Sequence, residues 1–156
     1  QLAKEKIAAT VVNASISGDT TSGGRARLTA LLKQHRPQLV VIELGANDAL
    51  RGLPLTMTQD NLAAMTKEVQ KSGAKALLVG MQLPPNFGRE YGQRFADVFA
   101  AVAKSHKAAL VPFMLKGVAD DADSQRWFQA DRIHPREEAH PVILANIWPE
   151  INKGLR

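Results

Sequence analysis

The sequence predicts an α/β protein with a flavodoxin-like, doubly wound parallel sheet between two layers of helices, a three-layer α/β/α sandwich. Its apolar runs are continuous rather than alternating, which is typical of strands that are covered on both faces. Amphipathic helical patterns separate these runs, and the runs begin roughly 30 residues apart, the length of a βαβ unit. Glycine-, proline- and asparagine-rich turns follow the runs, as expected at strand ends.

Four apolar segments are predicted strands. They cover residues 11–16, 39–44, 76–81 and 109–113. The polar residues that follow them matter for function, because ligands of open α/β sheets bind beyond the carboxyl ends of the strands.

Four apolar stripes at helical spacing predict the helices that cover this sheet. The stripes are formed by Leu28, Leu31 and Leu32; by Leu62, Met65 and Val69; by Phe95, Val98, Phe99 and Val102; and by Ile143, Leu144, Ile147 and Ile151. Thr58 is the expected N-cap of the second helix, which should stop at Gly73. Pro141 is expected in the first turn of the last helix.

Composition limits the possible classes of protein. The length suits one domain, which we expect to span residues 1–156. The absence of cysteine excludes a disulfide framework, a thiolate metal site and a cysteine nucleophile. No apolar run reaches the roughly 18 residues of a membrane-spanning helix, so stable membrane insertion is not expected.

The net charge of +5 and the sequence pI of about 9.7 raise nucleic acid as a partner. The basic residues are scattered, however, and mostly interleaved with acidic ones. Because nucleic-acid binding requires a clustered basic patch, we expect no nucleic-acid partner.

Asp131 and His134 form the first candidate for chemistry. An acid three residues before a histidine, in a turn, can place a carboxylate beside one imidazole nitrogen. The carboxylate then orients the ring and leaves the other nitrogen to act as a general base. Taken alone, the pair favours a different interpretation, in which a loop histidine is hydrogen-bonded to a capping aspartate.

Gly18 and Asn47 are candidates for binding a developing oxyanion. Gly18 lets a backbone N–H approach a ligand without a Cβ in the way. Asn47 follows a predicted strand, where its side-chain amide can donate to an oxyanion. Each also fits an ordinary turn, and alone we favour that interpretation.

Taken together and in this order, Gly18, Asn47 and the Asp131/His134 pair resemble the later conserved blocks of the SGNH (GDSL) hydrolase family. The similarity is strongest at residues 12–20, 43–48, 83–88 and 131–135, and it extends over essentially the whole chain. These motifs resemble the small bacterial branch of arylesterases and multifunctional thioesterase/lysophospholipases.

The resemblance implies a role for each matched residue. His134 would be the base that activates a serine, and Asp131 would orient it. The Gly18 backbone N–H and the Asn47 side chain would be oxyanion donors, and no metal or organic cofactor would be needed. The loop that carries Leu83, Pro84 and Phe87 would contact the acyl or aryl group of the substrate.

The family's first block, a strand followed by Gly-Asp-Ser with the nucleophilic serine, has no counterpart in this sequence. Gly18-Asp19-Thr20 resembles it but carries threonine and matches the second block. Ser15, Ser17 and Ser22 are possible substitutes, although a structural role is favoured for each. We therefore expect an N-terminally incomplete domain that lacks its first strand and nucleophile, a unit of roughly 30 residues.

The leading hypothesis is a serine esterase that hydrolyses small-molecule esters or thioesters through a Ser-His-Asp triad. A non-catalytic α/β binding domain or an inactive fragment is the alternative, because the nucleophile is missing. A nucleotide- or flavin-binding domain is less favoured, since no Gly-x-Gly-x-x-Gly or P-loop pattern follows a strand. The resemblance implies a periplasmic or secreted protein, whereas acyl-chain length and oligomeric state stay open.

Overall fold

The computed structural model describes residues 1–156 and contains a parallel sheet of three strands in the order β1-β2-β3. The strands are β1 (Leu39–Ile42), β2 (Lys75–Val79) and β3 (Ala109–Val111). In the register of the sheet, Val40 lies opposite Ala76, and Leu78 opposite Leu110. Three of the four predicted strands are therefore present, each slightly shorter than its apolar run.

Five helices surround the sheet. They are α1 (Thr21–His35), α2 (Ala46–Leu50), α3 (Leu55–Lys71), α4 (Arg89–His106) and α5 (His140–Leu155). Short 3₁₀ turns occupy Pro85–Phe87, Ser124–Trp127 and Glu137–Ala139. The four predicted helical stripes fall in α1, α3, α4 and α5, and Pro141 lies in the first turn of α5 as expected. None of the helices is both long enough and apolar enough to cross a membrane.

Both faces of the central strand β2 are buried, which explains its continuous apolar run, whereas Val41 of β1 is exposed. On one face, Ala76 and Leu78 of β2 belong to the main core with residues of α1, α3 and α4. On the other face, Leu77 and Val79 form a smaller cluster against Ile147 and Ile151 of α5. Burial of one such leucine or valine contributes about 1.5–3 kcal/mol. The predicted three-layer α/β/α arrangement is confirmed.

The predicted strand at residues 11–16 is wrong. The segment has no regular secondary structure, and the Val11, Val12 and Ile16 side chains are exposed. Its sequence has strand propensity, but no strand pairs with it, because β1 is hydrogen-bonded only to β2. Strand formation requires a neighbour that accepts and donates the backbone hydrogen bonds, and propensity alone does not provide one.

The predicted N-cap at Thr58 is also wrong. Helix α3 begins at Leu55 after Pro54, one turn earlier, so Thr58 lies inside the helix. The Thr58 side chain is fully buried, and its hydroxyl donates to Asp48 Oδ1 at 3.2 Å. Its polar side chain therefore serves a tertiary contact, which a search for helix start signals cannot detect.

Candidate active site

Asp131 and His134 are in direct contact in the loop that precedes α5. His134 Nδ1 lies 2.6 Å from Asp131 Oδ2. Asp131 Oδ1 accepts hydrogen bonds from the backbone N–H groups of Ile133 at 2.9 Å and His134 at 3.0 Å. The carboxylate thus holds both the imidazole and the loop backbone. His134 Nε2 has no hydrogen-bond partner within the chain and is free to accept a proton.

Contacts at the base of the loop fix its path. Phe128 and Pro135 form an antiparallel β-bridge, and Arg136 Nε donates to the Phe128 carbonyl at 2.7 Å. Trp127 and Phe128 also pack against the small apolar cluster formed by Leu115, Val118 and Ala139. These contacts anchor both ends of the segment that carries Asp131 and His134, although the two side chains themselves remain partly open to solvent.

Hydrogen bonding lowers the pKa of Asp131 from its ordinary 3.8 to about 2. The largest cause is the bond with the His134 side chain, followed by the bonds from the backbone N–H groups of Ile133 and His134. Each of these bonds favours the charged carboxylate. Asp131 is therefore ionised at neutral pH, as an orienting carboxylate must be.

This lowered pKa predicts a titration that can be measured residue by residue. The stabilising effect of Asp131 ionisation is fully present above its unfolded pKa near 3.8 and is lost as the pH falls through about 2. We expect the NMR titration of the Asp131 carboxyl carbon to have its midpoint near pH 2. His134→Ala should move that midpoint upward, because it removes the main cause of the shift. A midpoint near 3.8 in the unsubstituted protein would contradict the observed bonding.

Gly18 and Asn47, 29 positions apart, lie at neighbouring sites beside the sheet. Asn47 Nδ2 donates to the carbonyl of Asp19, the residue after Gly18, at 3.0 Å. The amide has a second N–H that makes no bond within the chain. Gly18 has φ +75°, a conformation that favours glycine, and its backbone N–H has no acceptor in the chain. Two free N–H donors are thus held close together.

Gly45 directs the chain from β1 into the short helix that carries Asn47. Its φ is +119°. A Cβ at this position would lie 3.3 Å from both Phe99 Cζ and Thr58 Cγ2, within the packed core. Glycine therefore allows α2 to begin directly against α3 and α4. The sequence predicted a loop at Asn47, whereas the residue lies in the first turn of a helix.

A buried carboxylate beside this pair was missed from the sequence. Asp48 is fully buried, and its Oδ2 accepts the backbone N–H of Thr21 at 2.9 Å. The hydroxyl groups of Thr21 and Thr58 donate to Asp48 Oδ1. A carboxylate at the N-terminus of α1 is favoured by the helix dipole. The only sequence signal is an acid next to Asn47, which an ordinary turn explains equally well.

The predicted substrate loop follows β2. Leu83 is half-buried against the main core, and Leu83 and Pro84 line a surface cleft of about 340 Å³ beside the start of α4. Phe87 ends the adjacent 3₁₀ turn outside that lining. A second cleft, of about 400 Å³, lies at the opposite edge of the sheet, near the first residues of the three strands. Neither cleft is lined by Asp131, His134, Gly18 or Asn47.

None of the serines considered as substitute nucleophiles is hydrogen-bonded to His134. Ser22 instead accepts a hydrogen bond from Asn61 Nδ2 at 3.1 Å. Ser15 donates its backbone N–H to the Asn13 side chain in an exposed turn. The chain therefore provides an oriented base in one loop and two free N–H donors at another site. No serine is hydrogen-bonded to the base.

A family model for the GDSL-like lipases and acylhydrolases matches residues 1–142. The chain belongs to this family. Among similar GDSL-family proteins, the esterase TesA of Pseudomonas aeruginosa is 52% identical over 151 residues, which are 97% of this chain and 74% of that protein. The thioesterase 1/protease 1/lysophospholipase L1 of Escherichia coli K12 is 44% identical over 133 residues, which are 85% of this chain and 62% of that protein.

Solved structures of similar esterases have the same fold. A crystal structure of TesA has a TM-score of 0.93 and 51% identity, with 98% of this chain and 83% of that chain covered. The psychrotrophic esterase EstA from Pseudoalteromonas, inhibited by monoethylphosphonate, has a TM-score of 0.89 and 37% identity, with 99% and 82% covered. The flanked parallel sheet of this chain thus matches part of the fold of these solved esterases.

Proposed function

We propose that this protein is a serine esterase that hydrolyses carboxylic esters or thioesters through a Ser-His-Asp triad. The observation that carries the proposal is the contact between Asp131 and His134, which leaves Nε2 of an oriented imidazole free. The family membership and the related proteins named esterase, arylesterase and thioesterase support it.

Each of the four site residues has a defined role in the proposed reaction. His134 Nε2 removes the proton of a serine hydroxyl while the serine oxygen attacks the carbonyl carbon. Asp131 stabilises the imidazolium that forms. The negative charge on the former carbonyl oxygen is bound by the Gly18 N–H and the free Asn47 amide N–H. His134 then protonates the leaving alcohol or thiol, and water releases the acid by the same route.

We further propose that the nucleophilic serine comes from outside these 156 residues. The chain has no Gly-Asp-Ser sequence, and none of Ser15, Ser17 and Ser22 is bonded to His134. On this proposal, residues 1–156 form most of a single domain that is completed by a strand with the nucleophile. The unpaired, apolar residues 11–16 and the free edge of β1 support the need for one more strand.

Leu83, Pro84 and Phe87 are proposed to contact the acyl or aryl part of a small-molecule substrate. The support is their position after the carboxyl end of β2, where ligands of open α/β sheets bind. A periplasmic or secreted location is proposed from the resemblance to the bacterial branch of the family.

Covalent labelling tests the function and the source of the nucleophile together. The protein produced from its whole coding sequence is treated with a fluorophosphonate, and the labelled peptide is mapped by mass spectrometry. We expect label on one serine outside residues 1–156. Label on Ser15, Ser17 or Ser22 would overturn the proposed source of the nucleophile, and a folded protein that takes no label would overturn the esterase function.

Replacing Asn47 tests the oxyanion role. Asn47→Ala should lower kcat by roughly 10²- to 10³-fold, because one donor to the transition-state oxygen is lost. Steady-state kinetics on an aryl ester, with circular dichroism as a check of folding, provide the measurement. Asn152→Ala, in the last turn of α5 where the side chain is only partly buried and bonds to the terminal Arg156, is the matched control and should keep its rate. An unchanged kcat for Asn47→Ala would exclude the amide as a donor.

A further inference from the structure

The two segments that hold the free N–H donors are joined by direct hydrogen bonds. Besides the bond from the Thr21 hydroxyl to Asp48 Oδ1, three hydrogen bonds connect residues 18–21 with residues 47–51. They run from Arg51 Nη2 to the Gly18 carbonyl (2.8 Å), from Asn47 Nδ2 to the Asp19 carbonyl (3.0 Å), and from the Thr21 N–H to Asp48 Oδ2 (2.9 Å). The first two bonds hold the carbonyl groups of Gly18 and Asp19. The Gly18–Asp19 and Asp19–Thr20 peptides are therefore both fixed.

Arg51 is the residue that connects the two donors. Its side chain holds the Gly18 carbonyl, while its backbone N–H donates to the Asn47 carbonyl at 3.1 Å. A Cβ on Gly18 would lie 3.6 Å from Arg51 Nη2, so the guanidinium packs directly against this glycine. Rotation of the Gly18–Asp19 peptide, which directly follows the peptide of the Gly18 N–H, is thereby opposed by a side chain that is itself attached to the segment of Asn47.

The helix α2, which directly precedes Arg51, is anchored in the interior of the protein. Asp48, three residues before Arg51, is fully buried and bonded to Thr21 and Thr58. The Arg51 guanidinium is on the surface and reaches Gly18 from this fixed base. Its contact with the glycine is therefore made from a rigid element and not from a free loop.

We propose that Arg51 is a positioning residue for the oxyanion site: it holds the Gly18–Asp19 peptide, and thereby limits movement of the adjoining Ser17–Gly18 peptide, so that the Gly18 N–H and the Asn47 amide point at one oxygen. The inference rests on the proposed esterase function. Oxyanion donors act at about 2.7–3.1 Å from the oxygen, and a displacement of about 1 Å can cost roughly a hundredfold in rate. Loss of one holding bond allows smaller displacements and should have a correspondingly smaller effect.

The test compares Arg51→Ala with Arg51→Lys in the protein produced from its whole coding sequence. Rates are expressed per active site, as counted by fluorophosphonate titration, so a loss of folded protein does not affect them. We expect Arg51→Ala to lower kcat about tenfold with little change in KM, because the transition-state oxygen is the species affected. Arg51→Lys, which can still donate to the Gly18 carbonyl, should recover most of the rate.

Arg94→Ala is the matched control. This arginine is exposed on α4, makes no hydrogen bond or ion pair, and its removal changes the net charge equally. Its kcat should equal that of the unsubstituted protein. If Arg51→Ala also retains full kcat per titrated site, or if Arg51→Lys is as slow as Arg51→Ala, Arg51 has no positioning role. If the unsubstituted protein takes no label, the proposed esterase function is contradicted instead. The labelling result therefore distinguishes a wrong function from a wrong role for Arg51.

Discussion

His134→Ala should reduce kcat by roughly 10⁴- to 10⁶-fold, the range found when the base of a Ser-His-Asp triad is removed. The imidazole is the only group in the loop with a free, oriented nitrogen, because Nδ1 is occupied by Asp131. Without it, the serine hydroxyl keeps its proton and the leaving group is not protonated. The measurement is steady-state hydrolysis of an aryl ester by the protein produced from its whole coding sequence.

His106→Ala is the control for this substitution. His106 ends α4, where a basic residue suits the C-terminal end of the helix dipole, and its side chain makes no hydrogen bond. Its rate should stay near that of the unsubstituted protein. A folded His134→Ala variant with a near-normal kcat would remove His134 from the mechanism. The fold should tolerate the change, because the His134 side chain is mostly exposed.

Asp131→Asn should reduce kcat by about 10³- to 10⁴-fold. The asparagine oxygen can still accept the backbone N–H groups of Ile133 and His134, so the loop should keep its path. The substitution removes the negative charge that stabilises the imidazolium and allows the wrong tautomer of His134. Because both effects concern the transition state, kcat should fall while KM changes little.

Asp123→Asn is the matched control for Asp131→Asn. Asp123 precedes a nearby 3₁₀ turn, and its exposed carboxylate makes no hydrogen bond. This substitution should leave kcat unchanged. Equal rates for the two variants would mean that the contact between Asp131 and His134 has no catalytic consequence. A large rise in KM at constant kcat would instead assign Asp131 to substrate binding.

The layers of the fold could be predicted from the sequence because side-chain periodicity is a local property. The apolar run at residues 76–81 contains β2, and its continuity correctly indicates burial on both faces. The segment at residues 11–16 has the same local character but forms no strand. Pairing depends on a neighbour that is distant in sequence, and local propensity carries no information about whether that neighbour is present.

The site shows the same division between local and distant contacts. The contact of Asp131 with His134 follows from a spacing of three residues within one loop. Asn47 and Asp19, the residue after Gly18, are 28 positions apart in the sequence but are hydrogen-bonded in the structure. Only the order of the family's motifs indicates that these two segments lie close together. The buried contact between Asp48 and Thr58 is not predictable from local sequence, because it exists only after α2 and α3 pack together.

A crystal structure of the phosphonate adduct is the most direct test of the claim that these residues serve one serine. The phosphonyl oxygen takes the place of the transition-state oxyanion, and the protein is the product of the whole coding sequence. We expect Gly18 N and Asn47 Nδ2 at about 2.7–3.1 Å from that oxygen, with His134 Nε2 within hydrogen-bond distance of the modified serine oxygen. An adduct whose oxygen points away from Gly18 and Asn47, or a serine out of reach of His134, would contradict the proposed active site.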